Sequence, residues 1–298
     1  MTETTIGLLH PGEMGAAVGK CLADAGHRVL WDPEGRSAAT KDRAEAAGLT
    51  GVTMAEIIAR SDVIVSVCPP HAALDVARLV TGFRGLYLDA NAVSPETARE
   101  VAAIAEAGGA GYVDGGIVGP PPLAPGHTRL YLSGPRAAEI QALFGGTDVD
   151  ARMVPPPGTA SAVKMAYASW TKGSAALLLA TRALAQAEGV EPVLLEEWSL
   201  SQPGLEKRWD GADRTATAKG WRWIGEMEEI AAAMAAAGLP EGFHQAAAEI
   251  YRGFSVLATG RATLLAPPAS RCRGARIDRP RRCPGRPAPA AWCRGPGP

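Results

Sequence analysis

The segment GLLHPGEMG at residues 7–15 places glycines where the phosphates of a nucleotide would need them. A pyrophosphate binds where a glycine-rich turn lets backbone N–H groups at a helix N-terminus approach its charge. In the pattern GxGxxG, Gly12 and Gly15 fit the second and third glycines, and His10 stands at the first. The segment follows an apolar run, TTIGLL, and precedes a helical pattern. This strand, turn and helix predict a dinucleotide site, in which His10 is interpreted as an incidental turn residue.

At the end of the second apolar run stand two sets of residues that could bind the adenosine ribose of the cofactor. Asp32 lies 20 positions after Gly12, where an acidic residue would hydrogen-bond the ribose hydroxyl of NAD. Arg36 and Ser37 follow and supply the guanidinium and hydroxyl that bind the extra phosphate of NADP. Pro33 and the residues after it are expected to turn the carboxylate of Asp32 away. The sequence therefore favours NADP, with NAD as the alternative.

A second candidate for chemistry is Lys164, which follows the PPPG of residues 155–158 on an alanine-rich helical segment. Reduction of a carbonyl creates alkoxide charge, and a positioned lysine can supply the proton when partial burial destabilises its ammonium. On a helix, Thr171 lies about 20° and Tyr167 about 60° from Lys164, so one face presents all three side chains to a cleft. Lys172 lies about 80° around the helix and is interpreted as a surface charge.

The remaining pattern supplies the elements that must position these residues. The apolar runs TTIGLL, RVLWD, DVIVSVCPP and GLYLDAN alternate with helical segments, which is typical of a parallel sheet with helical crossovers. Beyond Gly158 the strands disappear, and helices are predicted at about 159–188, 222–237 and 243–258. We therefore predict an α/β fold, with a Rossmann-type parallel sheet in residues 1–154 followed by an all-α domain in residues 155–265.

Residues 266–298 differ from the rest of the chain in composition. They hold eight arginines and one aspartate among prolines and glycines, which predicts a disordered tail. Since the whole chain has a net charge of −1, the body before the tail carries about −8, which argues against a nucleic-acid-binding surface.

Other classes of protein are disfavoured by length and spacing. The longest apolar helical run, Gly173 to Thr181, is far shorter than the roughly 20 residues that span a bilayer. The polar start, MTETT, does not resemble a signal peptide, and no cysteine pair has metal-ligand spacing. We therefore expect a cytoplasmic protein with no metal site and no membrane partner, in which Cys21 and Cys68 are buried thiols.

Five segments of the chain occur together in the order seen in one known superfamily. They are IGLLHPGEMG, SDVIVSVCPP, LDANAVSP, YVDGGIVG and GTASAVKMAYASWTK. Over roughly residues 5–260 the chain resembles the β-hydroxyacid dehydrogenase superfamily, which includes 6-phosphogluconate dehydrogenase, 3-hydroxyisobutyrate dehydrogenase and the imine reductases. Within it, the chain looks most like the 6-phosphogluconate dehydrogenase-like branch that has its own short C-terminal helical domain.

The resemblance implies an active-site cleft between a Rossmann domain and an interdomain helix, commonly completed across a homodimer. In the family, a lysine on that helix exchanges a proton while hydride passes to or from C4 of the nicotinamide, and Lys164 matches its position. The cofactor contacts expected on this basis are His10, Pro11, Gly12, Glu13, Met14, Gly15, Arg36, Ser37, Cys68, Pro69 and Asn91.

The chain departs from the family pattern at the expected substrate contacts. The asparagine that follows the family's lysine by four residues is Ala168 here, and the serine that contacts a substrate carboxylate is Val118. These departures argue against an ordinary 3-hydroxyacid. Asn91 stands where the family usually has a small polar residue, so we expect it to join Lys164 in catalysis as a donor to a substrate oxygen. The expected substrate contacts are Val118, Gly119, Tyr167 and Thr171.

Together these features predict an NADP-dependent dehydrogenase or reductase acting on a small alcohol or carbonyl substrate, with Lys164 as the proton donor or acceptor. Imine reduction is the close alternative, because an iminium ion already carries the charge that a carbonyl must develop. A dinucleotide-binding protein that has lost catalysis is the third possibility. The arginine cluster expected for binding 6-phosphogluconate itself is missing from the sequence.

Overall fold

The computed structural model describes residues 3–258, so the tail predicted at residues 266–298 lies outside the described part of the chain. The strands are β1 Thr5–Leu9, β2 Arg28–Trp31, β3 Thr50–Gly51, β4 Val63–Ser66, β5 Leu86–Asp89, β6 Gly111–Val118, β7 Thr128–Ser133 and β8 Val149–Met153. The helices of the same region are α1 Glu13–Asp24, α2 Ala38–Ala46, α3 Met54–Arg60, α4 Ala73–Leu79, α5 Pro95–Ala107 and α6 Ala137–Leu143, with a 3-10 turn at Pro70–Ala72.

All eight strands form one sheet in the order β3-β2-β1-β4-β5-β6-β7-β8. Neighbouring strands are parallel except β6 and β7, which are antiparallel. Because the chain leaves β1 toward β2 on one side and returns to β4 on the other, the strand order reverses between β1 and β4. In open α/β sheets a ligand binds at the carboxyl ends of the strands at such a reversal. His10 and Cys68, which follow β1 and β4 closely, therefore flank the expected crevice.

Apolar side chains cover both faces of the sheet, which explains the continuous apolar runs in the sequence. One layer includes Leu8, Val65 and Leu88, and the other includes Leu9, Ile64 and Tyr87; all six side chains are buried. Alternate residues of a strand point to opposite faces, so both layers are built from the same strands. The predicted α/β fold is confirmed.

The second half of the described chain is helical. Its helices are α7 Ala160–Ala187, α8 Glu191–Ser201, α9 Leu205–Ala236 and α10 Gly242–Ala258. They pack around a separate apolar cluster that includes Met165, Met227 and Tyr251. The three predicted helices correspond to α7, the second half of α9 and α10, whereas α8 and the first half of α9 were left unassigned. That half of α9, LEKRWDGADRTATAKG, is polar and contains two glycines, which obscure its helical periodicity.

Two further expectations concern residues within the described range. Cys21 and Cys68 are free, buried thiols, as predicted. Among residues 3–258, no helix combines the length and the apolarity needed to cross a membrane.

Candidate active site

The turn between β1 and α1 has the backbone geometry of a phosphate loop. His10 has φ 65°, a left-handed conformation that explains why a glycine is usual at this position. A Cβ on Gly15 would lie 2.5 Å from the carbonyl oxygen of His10, so only glycine lets the helix begin this close to the strand. A Cβ on Gly12 would meet nothing within 4 Å, so there is open space beside this residue, and its backbone N–H donates to the carbonyl oxygen of His10 at 2.8 Å.

The His10 side chain is partly buried. Burial, and then the positive charge of Arg36, lower the pKa of His10 to about 4. Its Nδ1 atom is buried and has no hydrogen-bond partner. At neutral pH the imidazole is therefore uncharged and cannot serve as a cationic acid, although it can exchange a hydrogen bond with a ligand in the crevice.

The two candidate readers of the ribose differ in what their side chains do. The Asp32 carboxylate accepts a hydrogen bond from the backbone N–H of Glu34, 2.9 Å away, and so belongs to its own loop. Ser37 caps α2, because its hydroxyl accepts from the backbone N–H of Thr40 at 3.3 Å. Arg36 is half-buried, and its Nε atom is buried without a partner. The unpartnered donor at this edge of the sheet is thus the guanidinium.

Asn91 bridges the carboxyl ends of β4 and β5. Its Oδ1 accepts from the backbone N–H of Cys68 at 2.6 Å, and its Nδ2 donates to the hydroxyl of Ser66 at 3.0 Å. The side chain is 2% exposed. Asn91 therefore holds the β4 loop in place, and the one N–H that these contacts leave could still reach a ligand; its predicted role as a substrate donor stays a prediction.

The N-terminus of α7 is tied to the sheet by Asp114 of β6. The Asp114 carboxylate accepts hydrogen bonds from the backbone N–H of Ser161 at 3.1 Å, from the Ser161 hydroxyl, and from the Ser133 hydroxyl at 2.9 Å. The Ser133 hydroxyl in turn accepts from the backbone N–H groups of Gly158, Thr159 and Ala160. A carboxylate and a hydroxyl thus satisfy donors that a helix N-terminus leaves unpaired.

This anchor places Lys164 directly over β6. A Cβ on Gly116 would lie 2.6 Å from the carbonyl oxygen of Ala160 and 3.0 Å from the Cβ of Lys164. The second glycine of the DGG sequence, Gly116, therefore allows α7 to approach β6 closely. At the end of the same strand, Val118 is buried and Gly119 turns the chain at φ 120°, where a Cβ would lie 2.2 Å from the carbonyl oxygen of His127.

Tyr167 and Thr171 lie farther along α7 and are placed differently from one another. Tyr167 is 46% exposed. The Thr171 hydroxyl donates to the carbonyl oxygen of Tyr167 at 3.1 Å, and its side chain lines a cavity of about 280 Å³ between α7 and α9, with Trp223 and Arg208. Their role as substrate contacts stays a prediction.

Lys172 is not the solvated surface charge that its helical position suggested, so that interpretation was wrong. Its side chain is 18% exposed, forms an ion pair with Glu226 of α9, and has its Nζ 5.5 Å from the ring centroid of Trp223. Burial lowers the pKa of Lys172 to about 8, against the opposing charge of Glu226. The error arose because the residues that cover Lys172, Trp223 and Glu226, lie on α9 and are distant from it in the sequence.

Glu226 was missed by the sequence analysis and joins the two lysines. Its Oε2 atom lies 4.0 Å from the Nζ of Lys164 and also contacts the Nζ of Lys172. Burial by itself would raise the pKa of Glu226, but Lys172 and then Lys164 outweigh it and lower the pKa. In the sequence, Glu226 stands in the run GEMEEI, which reads as a solvated helix face and gives no signal of burial.

Helix α9 also reaches the dinucleotide turn. The Glu13 carboxylate, in the first turn of α1, contacts the Nζ of Lys219 at 2.9 Å and the Nη1 of Arg222 at 3.2 Å. A Cβ on Gly225 would lie 3.8 Å from Pro70, in the loop after β4. Helix α9 therefore contacts the dinucleotide turn through Lys219 and Arg222 and the lysine pair through Glu226.

Comparisons with known proteins match both halves of the chain. Residues 5–87 match the family described as NADP oxidoreductase, coenzyme F420-dependent, and residues 185–254 match a domain of unknown function, DUF1932. An uncharacterised 28.5 kDa protein in the 7S RNA 5′ region of Methanothermus fervidus is 30% identical over 196 residues, which are 64% of this chain and 74% of that protein.

A solved structure of a conserved protein of unknown function, noted for its similarity with 3-hydroxyacid dehydrogenases, is 28% identical. The match has a TM-score of 0.62 and covers 86% of this chain and 98% of that one. The chain belongs to the β-hydroxyacid dehydrogenase superfamily. The predicted resemblance is confirmed, and with it the class of NAD(P)-dependent oxidoreductase.

Two other solved structures share the fold at lower identity. The 3-hydroxyisobutyrate dehydrogenase of Mycobacterium tuberculosis is 22% identical, with a TM-score of 0.64 and coverage of 86% of this chain and 94% of that chain. A reductive aminase from Aspergillus terreus, solved with NADPH and ethyl levulinate, is 22% identical, with a TM-score of 0.53 and coverage of 87% and 95%.

Proposed function

We propose that the protein is an NADP-dependent reductase or dehydrogenase of small carbonyl or alcohol substrates, in which Lys164 exchanges the proton. The observation that carries the cofactor is the Nε of Arg36, a buried donor without a partner beside the glycine turn. The open space beside Gly12 fits a pyrophosphate, and the guanidinium fits a 2′-phosphate. The reductive aminase in the comparison binds NADPH, which supports the same cofactor here.

The residues of this chain divide the work as follows. His10 to Gly15 would hold the pyrophosphate, Arg36 and Ser37 the 2′-phosphate, and the loop of Cys68 and Pro69, fixed by Asn91, the adenosine side. Bound NADPH supplies the hydride. Lys164 lies over Gly116, and its side chain is 14% exposed. Because the start of α7 is anchored to β6, the Lys164 ammonium would be held in a fixed position beside the substrate.

The proton is the contribution of Lys164 to the reaction. As the substrate carbon accepts hydride, its oxygen takes on negative charge, and the ammonium donates a proton from Nζ to that oxygen. The N–H bond breaks, its electron pair stays on nitrogen, and the alcohol O–H bond forms. In the reverse direction the neutral amine removes the proton from the alcohol.

The cofactor is tested by titrating the purified protein with NADPH and NADH and following nicotinamide fluorescence. Arg36→Ala should weaken NADPH binding about tenfold or more, the value of a charge-assisted hydrogen bond, and leave NADH binding nearly unchanged. Arg28→Ala is the matched control, because Arg28 begins the same β2 strand at its opposite end. Tighter binding of NADH, weakened by Asp32→Ala, would make Asp32 the reader and refute NADP.

The role of Lys164 is tested in the same binding assay together with a substrate screen. Lys164→Ala should bind NADPH like the wild type and lose oxidation of NADPH with aldehydes and ketones by two orders of magnitude or more. A protein that binds NADPH but turns over none of the carbonyls or imines offered, with or without Lys164, would instead be a non-catalytic dinucleotide-binding protein.

Imine reduction is a second candidate, favoured by two buried apolar residues. Val118 is 2% and Ala168 1% exposed, at the positions where the superfamily usually has a serine and an asparagine. An iminium ion already carries positive charge and needs less proton donation than a ketone. Activity with a ketone that appears only when an amine is added, and that survives Lys164→Ala, would assign this reaction.

We further propose that the protein is a homodimer, as the family resemblance implied. Helix α7 carries Trp170, Leu177 and Leu184 at intervals of seven residues, and these side chains are 69%, 53% and 61% exposed. Such a row favours contact with another helix. A monomeric mass by light scattering would refute the dimer.

A cytoplasmic location and the lack of nucleic-acid and membrane partners remain part of the proposal.

A further inference from the structure

One buried carboxylate, Glu226 of α9, contacts two lysines of α7. Lys164 and Lys172 both approach the Oε2 atom of Glu226, and the side chains of the three residues are 14%, 18% and 13% exposed. Two ammonium groups and one carboxylate give the cluster a net charge of +1 when all three are ionised. Each of these charges is partly removed from water, so the attraction of each ammonium to the carboxylate and the repulsion between the two ammonium groups are both strengthened.

The two lysines do not share Glu226 equally. Lys172 makes a charge-assisted hydrogen bond to Oε2, whereas Lys164, at 4.0 Å, is near enough to feel the charge but too far to donate a hydrogen bond. All three N–H groups of the Lys164 ammonium therefore remain available to the cleft. Without Lys172, the Glu226 carboxylate could move toward Lys164 and accept a hydrogen bond from one of its N–H groups.

Other elements packed around the cluster keep Lys172 in its place. The Trp223 ring of α9 faces its ammonium, and the hydroxyl of Tyr251, on α10, donates to its backbone carbonyl at 2.6 Å. Two titratable residues of α10 pack against this part of α7. Burial, and then the charge of Glu226, raise the pKa of Tyr251, so the phenol stays neutral. The Nε2 of His244 lies 3.0 Å from the Ser169 hydroxyl, and burial lowers the pKa of His244. From the sheet, β6 presents Gly116, which brings no charge.

We propose that Lys172 and Glu226 are positioning residues for the proton transfer: Lys172 holds Glu226 by a hydrogen bond and thereby leaves the N–H groups of Lys164 free to donate to a substrate. The inference deepens the proposed function and rests on the role given there to Lys164. It assigns a function to a second lysine and to a carboxylate that the superfamily resemblance did not single out.

The proposal predicts opposite effects on Lys164 from removing its two neighbours. In Lys172→Met, Glu226 loses its partner and should turn to Lys164, which becomes harder to deprotonate. In Glu226→Gln, two ammonium groups face each other without a counter-ion, so Lys164 loses its proton more easily. A purely structural role for the pair would disturb Lys164 in one direction or leave it unchanged.

The experiment is competitive labelling of the full chain with acetic anhydride at pH 8, read residue by residue by mass spectrometry. Only the neutral amine reacts, so acetylation of Lys164 relative to the exposed Lys41 reports its protonation. We expect the ratio to fall about tenfold in Lys172→Met and to rise about tenfold in Glu226→Gln. Lys172→Arg, which keeps the charge and the hydrogen bond, should stay within about twofold of the wild type.

An unchanged ratio in Lys172→Met, or a shift in the same direction in both variants, overturns the proposal. Circular dichroism identifies a variant that fails to fold; if Lys172→Met is one, the pair Glu226→Gln and Lys172→Arg still decides, and equal ratios in these two refute the inference. Because labelling needs no substrate, it also separates this inference from the proposed function, which fails if Lys164→Ala keeps full turnover.

Discussion

Replacing Asp89 with asparagine should remove a pH dependence from the stability of the fold. Asp89 ends β5, is 1% exposed, and accepts a hydrogen bond from the backbone N–H of Asn91 at 3.1 Å. Burial raises the pKa of Asp89 from 3.8 to about 7; the hydrogen bond from Asn91 opposes this rise, and the charge of Asp114 adds to it. The folded protein therefore holds this proton far more tightly than the unfolded chain does.

The sign and size of the effect follow from that difference. Below pH 3.8 the carboxyl is protonated in both states, and its contribution to folding is fully present; as the pH rises toward 7 the unfolded chain ionises first and the contribution is lost. The interval of about 3 pH units corresponds to about 4 kcal/mol. In Asp89→Asn the amide oxygen can still accept from Asn91, but nothing titrates at this position.

The assay is urea unfolding of wild type and Asp89→Asn at pH 4, 5.5 and 7. The free energy of unfolding of the wild type minus that of the variant should decrease with pH, by up to about 4 kcal/mol across this range. Asp42→Asn, on the exposed surface of α2, controls for loss of a single negative charge. A difference that is constant or increases with pH would refute the reasoning, because Asp89 would then be ionised in the folded protein.

Three other predictions concern the turn and the strand that would position the ligands. Replacing both Lys219 and Arg222 with alanine removes two half-exposed ion pairs worth about 0.2–1 kcal/mol each, so the free energy of unfolding should change little. The NADPH Kd, measured calorimetrically, should rise several-fold, because the negative charge of Glu13 is then left without a counter-ion beside the pyrophosphate. Adding Glu13→Gln should restore binding; no restoration would contradict this explanation. Gly116→Ala should cost about 1–3 kcal/mol in thermal unfolding, since its Cβ would press on the backbone of α7. Gly12→Ala, with open space around its Cβ, should keep the wild-type Tm but weaken NADPH binding, and the opposite pattern would contradict the packing argument.

The sequence predicted those features whose causes are local. The turn from His10 to Gly15 could be recognised because one strand, one turn and one helix determine its backbone. The contrast between Asp32 and Arg36 was also partly readable, since Asp32 turns back to the N–H of Glu34 only two residues away. In such segments the residues that fix the geometry are the residues of the motif itself.

Asn91 shows how a correct position can leave the role open. The sequence placed Asn91 after β5, and the family resemblance predicted that its amide would contact the cofactor and the substrate. Its hydrogen bonds, however, run to Ser66 and Cys68, which are 25 and 23 residues earlier in the chain. Only the pairing of β4 with β5 brings them together, so a sequence pattern cannot distinguish an amide that binds a ligand from one that secures a loop.

The interpretation of Lys172 failed for the same reason, with a larger consequence. A helical wheel gives the angle between Lys164 and Lys172 but says nothing of what covers either residue. The cover comes from Glu226, 54 residues beyond Lys172. It lies on α9, whose polar, glycine-containing first half hid its helical continuity. Once α9 is placed against α7, the second lysine becomes part of a buried cluster with net positive charge, at the cleft where carbonyl reduction would develop negative charge on oxygen. The chemistry that we propose for Lys164 therefore depends on a contact between helices, and its test is the response of Lys164 when Lys172 or Glu226 is changed.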